Sequence, residues 1–296
     1  MSKKLAWLLG VTAVLLFGAG LLYLRMARVS PTSAPVASHW PANTPAPSGP
    51  PPTRPAEPPR LSGTPAKKEP APPEPLFNLR AGETLDYDAN ITKLDSTVAR
   101  LKIFAVEKRN SGGKSTWHLQ ALAHTENPYR MVFELDDQFD SYSDGPAMTS
   151  VQYEMHLSER GQKVESIQRL LTSAQDPVPA GGSGVRVIPG TRDPLGMLEY
   201  LRGVEWGHSS QVRSPVFDGR KLYDVQAKYI GKSNGIHVPA GTFNTLKIEA
   251  RVFDNGQEMK DARFVLYLTD DATRLPVLME AVLPVATARV ELTRAR

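Results

Sequence analysis

The stretch Val151-Gln152-Tyr153-Glu154-Met155-His156-Leu157 alternates apolar and polar side chains at every step. Period two over seven residues puts Val151, Tyr153, Met155 and Leu157 on one face of a strand, with Gln152, Glu154 and His156 on the other. The same alternation returns along the chain. Leu101, Ile103 and Ala105 oppose Arg100, Lys102 and Phe104; Trp117, Leu119, Ala121 and Ala123 oppose His118, Gln120 and Leu122; Leu246, Ile248, Ala250 and Val252 oppose Lys247, Glu249 and Arg251. Turn signals separate the runs: Ser111-Gly112-Gly113, Glu159-Arg160-Gly161, Asp218-Gly219 and Asp254-Asn255-Gly256. The pattern predicts about ten strands joined by hairpin-length gaps, hence a mainly antiparallel sheet.

One segment has a different period. Asp193-Pro194 reads as an N-cap followed by proline in the first turn, and Leu195, Leu198 and Leu201 then recur at helical spacing up to Gly203. This predicts one helix over about 194–202. The Gly- and Pro-rich stretch Asp176–Gly190 before it reads as a long loop. About ten strands with one wet face tend to curl. The expected fold is mainly β: a strongly curved antiparallel sheet or open half-barrel with the short helix against its concave side. The helix and the loop would then form a movable cover.

This folded part covers 77–296. Residues 31–76 hold 16 of the chain's 26 prolines. Proline fixes φ and lacks an N–H donor, so the segment reads as a disordered Pro-rich linker. Stretched as polyproline II it would span ~140 Å at ~3.1 Å per residue. Residues 1–30 form the N-terminal anchor. Leu5–Leu24 is an uncharged run of twenty residues, polar only at Thr12. At ~1.5 Å per residue it matches the ~30 Å hydrocarbon core of a bilayer. It reads as an uncleaved transmembrane helix; a long cleaved signal peptide is the alternative. Lys3 and Lys4 flank one end, Arg25 and Arg28 the other, so charge alone leaves the orientation balanced. With all folded mass C-terminal to the run, the expectation is a single-pass protein of the bacterial inner membrane with its C-terminal domain in the periplasm.

Charge and composition exclude some functions. The net charge of +4 belongs to the N-terminal segments, because 77–296 carries 27 basic and 28 acidic residues. Composition therefore supports no nucleic-acid partner. The chain has no cysteine, which removes thiol nucleophiles, thiolate zinc sites and iron–sulfur clusters.

Five further pieces carry a resemblance. They are Gly82-Glu83-Thr84-Leu85-Asp86-Tyr87, Asp193-Pro194-Leu195 through Leu201-Arg202, Asp218-Gly219-Arg220-Lys221-Leu222-Tyr223-Asp224-Val225, Val238-Pro239-Ala240-Gly241-Thr242-Phe243, and Leu268-Thr269-Asp270 through Arg274-Leu275-Pro276-Val277. In this order the chain resembles a bacterial cell-envelope family known as domain-of-unknown-function family 3108. The resemblance implies an exported β-rich domain, with the half-barrel shape of lipoprotein carriers such as LolA and LolB, and brings no catalytic residue. On the residues themselves, Val238–Gly241 reads as a strand connection and Thr269–Pro276 as a hairpin opened by Asp270-Asp271.

Candidate chemistry is sparse. His118 and His124 share a strand face but lie ~20 Å apart, too far for one metal. His156 and Glu154 are ~7 Å apart and could share an ion if a neighbouring strand gave a third ligand; solvated strand positions would look the same. Glu134, Asp136, Asp137, Asp140 and Asp144 form an acidic run that fits no EF-hand. No catalytic residue, cofactor or metal site is assigned. The expected function is a non-enzymatic, membrane-anchored envelope module. Its curved sheet would bind an apolar or extended ligand, such as a lipid, or an envelope partner protein, with Trp117, Phe133, Tyr153, Leu198 and Tyr229 as groove residues. The alternatives are an envelope hydrolase using the acids or the His156–Glu154 pair, and a structural or assembly factor.

Overall fold

The first strand, β1 (Thr84–Ile91), buries Leu85, Tyr87, Ala89 and Ile91 and leaves the residues between them half-exposed. One face against a core and one toward water is what period-two patterning dictates, and it holds through most of the sheet. The computed structural model describes residues 79–296 except 93, 95, 112–113, 146, 174–175, 177–182 and 283–286. The apolar run Leu5–Leu24 and the Pro-rich stretch 31–76 lie outside the described residues. Among the described residues no helix is long and apolar enough to cross a membrane.

The chain continues as β2 (Thr97–Ser111), β3 (Lys114–Thr125), β4 (Asp136–Asp144), β5 (Thr149–Glu159), β6 (Gln162–Leu171) and β7 (Ser183–Arg186). After the helix α1 (Pro194–Gly203) come β8 (Gln211–Phe217), β9 (Leu222–Val238), β10 (Gly241–Asp254), β11 (Gln257–Thr269), β12 (Pro276–Val282) and β13 (Thr287–Ala295). All thirteen strands form one sheet in the order β7-β6-β5-β4-β3-β2-β1-β13-β12-β11-β10-β9-β8. Two meanders are thus joined where the first strand meets the last, with Tyr87 opposite Leu292 and Ala89 opposite Val290. Every pairing is antiparallel except β6 with β7.

The expectation of about ten strands falls short of these thirteen. One reason is visible in β7, which lies inside the stretch read as a long loop. Its four residues pair in parallel with Gln168–Leu171, and Gly-rich composition conceals so short a strand. The hairpin readings hold. Thr269–Pro276 joins β11 to β12, and Asp271 Oδ1 accepts the Thr273 N–H at 2.8 Å. The Asp218 carboxylate accepts the N–H groups of Arg220 and Lys221 at 2.8 and 2.7 Å, while Gly219 turns the chain with φ of 90°.

The sheet is open, since β7 and β8 are not hydrogen-bonded neighbours. It nevertheless curls far enough for Phe217 of β8 to pack with Tyr153, Met155, Leu157 and Leu170 of β5 and β6. The residues just before α1 span the gap. The Ser150 N–H donates to the Thr191 carbonyl at 3.0 Å, and Arg192 exchanges backbone hydrogen bonds with Pro215 and Phe217 at 3.0 and 2.8 Å.

Helix α1 closes the concave side. Nine of its ten residues are buried, so it is not an amphipathic cover with one wet face. Leu195, Met197, Leu198 and Leu201 join one core with Leu101, Leu119, Ile248 and Leu268 from strands on both sides of the central pairing. Trp206, just beyond the helix, is also buried there and donates its indole N–H to the Leu201 carbonyl at 3.0 Å. Burying a helix on all sides brings ionisable groups inside, and each needs a partner. The helix expected as a cover is thus a buried plug in the core.

Candidate functional site

Strands β3 to β6 alternate so that Trp117, Leu119, Tyr153 and Met155 face the core. His118, Gln120, Gln138, Asp140, Glu154, His156 and Glu165 are left on the outer face. Register sets them side by side: Gln120 pairs opposite Asp140, Asp140 opposite Glu154, and His156 opposite both Gln138 and Glu165. Directly opposed side chains on one face lie within ~5 Å of each other at Cβ. The sheet thus concentrates polar groups that are spread over nearly fifty residues of sequence.

Asp140 is the centre of this group and is only 3% exposed. Its Oδ1 lies 2.8 Å from both His118 Nε2 and Gln120 Nε2, and its Oδ2 accepts from Gln138 Nε2 at 2.7 Å. Burial alone would raise its pKa, but the hydrogen bonds from His118, Gln138 and Gln120 overcome this and hold it below the ordinary carboxylate value. His118 also stacks on Tyr142, with ring centroids 4.6 Å apart. His156 Nε2 lies 3.4 Å from Glu154 Oε2 and 3.9 Å from Asp140 Oδ2. His156 Nδ1 is hydrogen-bonded to Glu165, and this bond is the main cause of a raised His156 pKa. Gln152 Nε2 donates to the other Glu154 oxygen at 2.6 Å.

The acidic run, by contrast, is dispersed. Arg130 holds Glu134 at 2.9 Å and Asp136 at 2.5 Å. Asp137 turns away and accepts the Ser158 N–H at 3.0 Å. His124 pairs with Glu126 at 3.0 Å, outside the cluster. Asp270 pairs with Lys232 at 2.6 Å, and Asp271 caps its hairpin. Of the sequence candidates, the structure therefore unites His156 and Glu154 with Asp140 and His118 on the outer face of the sheet. Glu165 carries no local sequence signal, because it meets His156 only through the β5–β6 register.

The five groove residues are divided among three hydrophobic clusters. Trp117, Leu198 and Tyr229 belong to or pack on the large core, Tyr153 sits in the smaller core with Phe217, and Phe133 forms a third cluster with Leu135. Four of them are buried and Tyr229 is half-buried.

Inside the sheet, the charged groups serve the helix. Asp193 Oδ1 accepts the Gly196 N–H at 2.9 Å, and Oδ2 accepts from Ser141 Oγ and Ser150 Oγ, each at 2.5 Å. Burial raises the Asp193 pKa against the pull of these hydrogen bonds. At the other end Arg202 Nη1 meets Glu199 at 2.8 Å and Glu83 at 2.7 Å. Burial would lower the Arg202 pKa, but the two glutamates hold it above the ordinary value. Arg192 has no carboxylate partner among the described residues. It donates to the Ala147 carbonyl at 2.9 Å and to Ser214 Oγ at 2.7 Å, and stacks on Tyr200 at 3.6 Å. Burial lowers its pKa to about 10.

Residues 86–293, which span nearly the whole sheet and the helix, match the model of the family described as Protein of unknown function (DUF3108). The chain belongs to this family. The DUF3108 fold is also similar to that of the beta-barrel-like protein of domain of unknown function DUF1849 from Brucella abortus. The TM-score is 0.50 at 11% identity, over 73% of this chain and 97% of that one. The hypothetical protein CT021 from Chlamydia trachomatis aligns at a TM-score of 0.34 and 7% identity, over 73% of this chain and 87% of that one. Among curated proteins none matches this DUF3108 chain.

Proposed function

We propose that this DUF3108 protein is a tethered module of the bacterial envelope that works by binding a partner on its outer surface, not by turning over a substrate or enclosing an apolar ligand. Leu5–Leu24 anchors it in the inner membrane, 31–76 holds the domain away from the bilayer, and the sheet lies in the periplasm. The twenty-residue uncharged run and the proline density support the tether. One structural observation carries the mode of action. On the concave face, where an apolar ligand would rest, lies α1, with nine of its ten residues buried and its ends held by Asp193 and Arg202. Opening that face would expose Leu195, Met197, Leu198 and Leu201 and strip both charges of their partners. Each fully exposed apolar side chain costs roughly 1.5–3 kcal/mol, so ligand entry there opposes most of a domain's typical stability.

Two measurements on the full-length chain test this reading. An export-dependent reporter fused after Arg296 should be active, and activity confined to a cytosolic reporter overturns the topology. A photoreactive fatty acid fed to cells should label peptides from 1–30 only. Adducts mapped to Leu198 or Trp117 would overturn the sealed interior and restore a lipid-carrying sheet.

A further inference from the structure

We propose that the outer face of β4 and β5 binds a divalent transition-metal ion through His156 Nε2, one oxygen of Glu154 and one oxygen of Asp140. The three ligand atoms lie within 4.8 Å of one another, with the imidazole nitrogen 3.4 Å from Glu154 Oε2 and 3.9 Å from Asp140 Oδ2. Metal–ligand bonds of ~2.0–2.2 Å in tetrahedral arrangement place neighbouring ligand atoms ~3.3–3.6 Å apart. The His156–Glu154 pair already stands at that spacing, and the His156–Asp140 pair needs a few tenths of an ångström of closure. Asp140 is buried, while Glu154 and His156 are half-buried, so none is a freely waving surface group.

The surroundings of each ligand favour this reading over a chance meeting of polar groups. Metal-binding imidazoles commonly donate their other N–H to a carboxylate, which fixes the tautomer and aims the remaining lone pair. Glu165 stands at His156 Nδ1 in that role. Gln152 engages Glu154 Oε1 and leaves Oε2 facing His156. His118 and Gln120 hold Asp140 Oδ1, while Oδ2 accepts from Gln138 Nε2 at 2.7 Å and lies 3.9 Å from the imidazole nitrogen. All three ligands thus have an outer partner on the far side. Asp140, Glu154 and Glu165 form no ion pair with lysine or arginine among the described residues; histidines are their only basic neighbours within 4.0 Å. A dication would balance that surplus.

The donor set decides the class of ion. One imidazole with two carboxylates suits zinc and its first-row neighbours. Calcium takes six to eight oxygen ligands and gains little from an imidazole. Three protein ligands leave a coordination position open on the exposed face, where water or a side chain of a second molecule would complete the sphere. The site is independent of whether the interior is sealed, so it stands or falls separately from the binding-module reading.

The test is a calorimetric titration of ZnCl2 into the full-length, untagged chain in detergent after EDTA treatment and removal of the chelator. One equivalent should bind per chain, and a tenfold excess of Ca2+ should not displace it. His156→Gln and Glu154→Gln should each weaken binding at least tenfold, Glu165→Gln should weaken it by about 10–100-fold, and His124→Gln should change nothing. Co2+ should give visible d–d bands that disappear in Glu154→Gln. All four positions are exposed or half-exposed, and circular dichroism of each metal-free variant confirms that it folds. Absence of a stoichiometric site, or equal affinity in Glu154→Gln and the parent, overturns the proposal.

Discussion

Arg202 on α1 and Glu83 at the head of β1 lie 119 residues apart in sequence and meet at 2.7 Å. The same guanidinium holds Glu199 one turn back on the helix and donates to the Arg274 carbonyl in the β11–β12 hairpin at 3.2 Å. Three separate parts of the sheet and helix therefore converge on one buried cation. It fixes where the C-terminal end of the plug can lie.

Arg202→Met should destabilise the domain by about 3–5 kcal/mol, because Glu199 would keep a buried charge without its partner. Adding Glu199→Leu should recover part of the loss, since two apolar side chains of similar size replace the ion pair. Urea unfolding followed by tryptophan fluorescence checks both, as Trp206 is buried beside the helix. A double variant less stable than Arg202→Met alone would contradict this account.

At the opposite end, Asp193→Ala removes the helix cap and leaves the hydroxyls of Ser141 and Ser150 without their acceptor. A lost cap costs about 0.5–2 kcal/mol, and each stranded buried polar group a further ~1–3 kcal/mol. These terms add to about 2.5–8 kcal/mol, with Asp193→Asn losing clearly less because it keeps an acceptor oxygen. Equal unfolding midpoints for Asp193→Ala and Asp193→Asn would show that the two serines contribute nothing.

Much of this was legible in the residues and some was not. The strand faces in Tyr153–Leu157 and Leu246–Val252, the Asp193-Pro194 helix start and the Asp218-Gly219 turn follow from local periodicity and turn chemistry, and each stands where that chemistry placed it; Val151, read onto the same face as Tyr153, is instead exposed, because the β4–β5 register shifts there and passes it over. The burial of α1 could not be read locally. Glu199 and Arg202 look like a solvated i,i+3 pair until the sheet curls round them. The outer-face cluster is hidden for a related reason: Asp140 and Glu165 reach His156 only through the register of two strand pairings. The scatter of Trp117, Phe133 and Tyr153 has the same cause, since alternation gives a side chain's face but not which core lies under it.

Gly196 shows how tightly the plug sits. A methyl group there would lie 2.9 Å from the Met148 carbonyl oxygen and 2.9 Å from Ser143 Oγ. The helix would have to lift away from a backbone atom. Gly196→Ala should therefore destabilise by about 1–3 kcal/mol, even though alanine is the better helix former by ~1 kcal/mol. A variant more stable than the parent would mean that α1 moves outward freely, and the plug would then be a cover after all.

Asp137 should make stability depend on pH in an unusual direction. Burial pushes its pKa from the ordinary 3.8 up to about 7, against the hydrogen bond from the Ser158 N–H, with Glu159 and Asp136 adding to the rise. The folded state thus holds this proton more tightly than the unfolded chain does. Its contribution is fully present below the unfolded value and is lost as pH rises from about 4 to about 7. Asp137→Asn keeps an acceptor for Ser158 and cannot ionise. Its stability should match the parent within ~0.5 kcal/mol near pH 4 and exceed it by about 1–3 kcal/mol at pH 8. Urea midpoints measured at half-unit intervals across this range decide the matter: parallel curves for the two proteins would show that Asp137 is ionised in the fold at neutral pH.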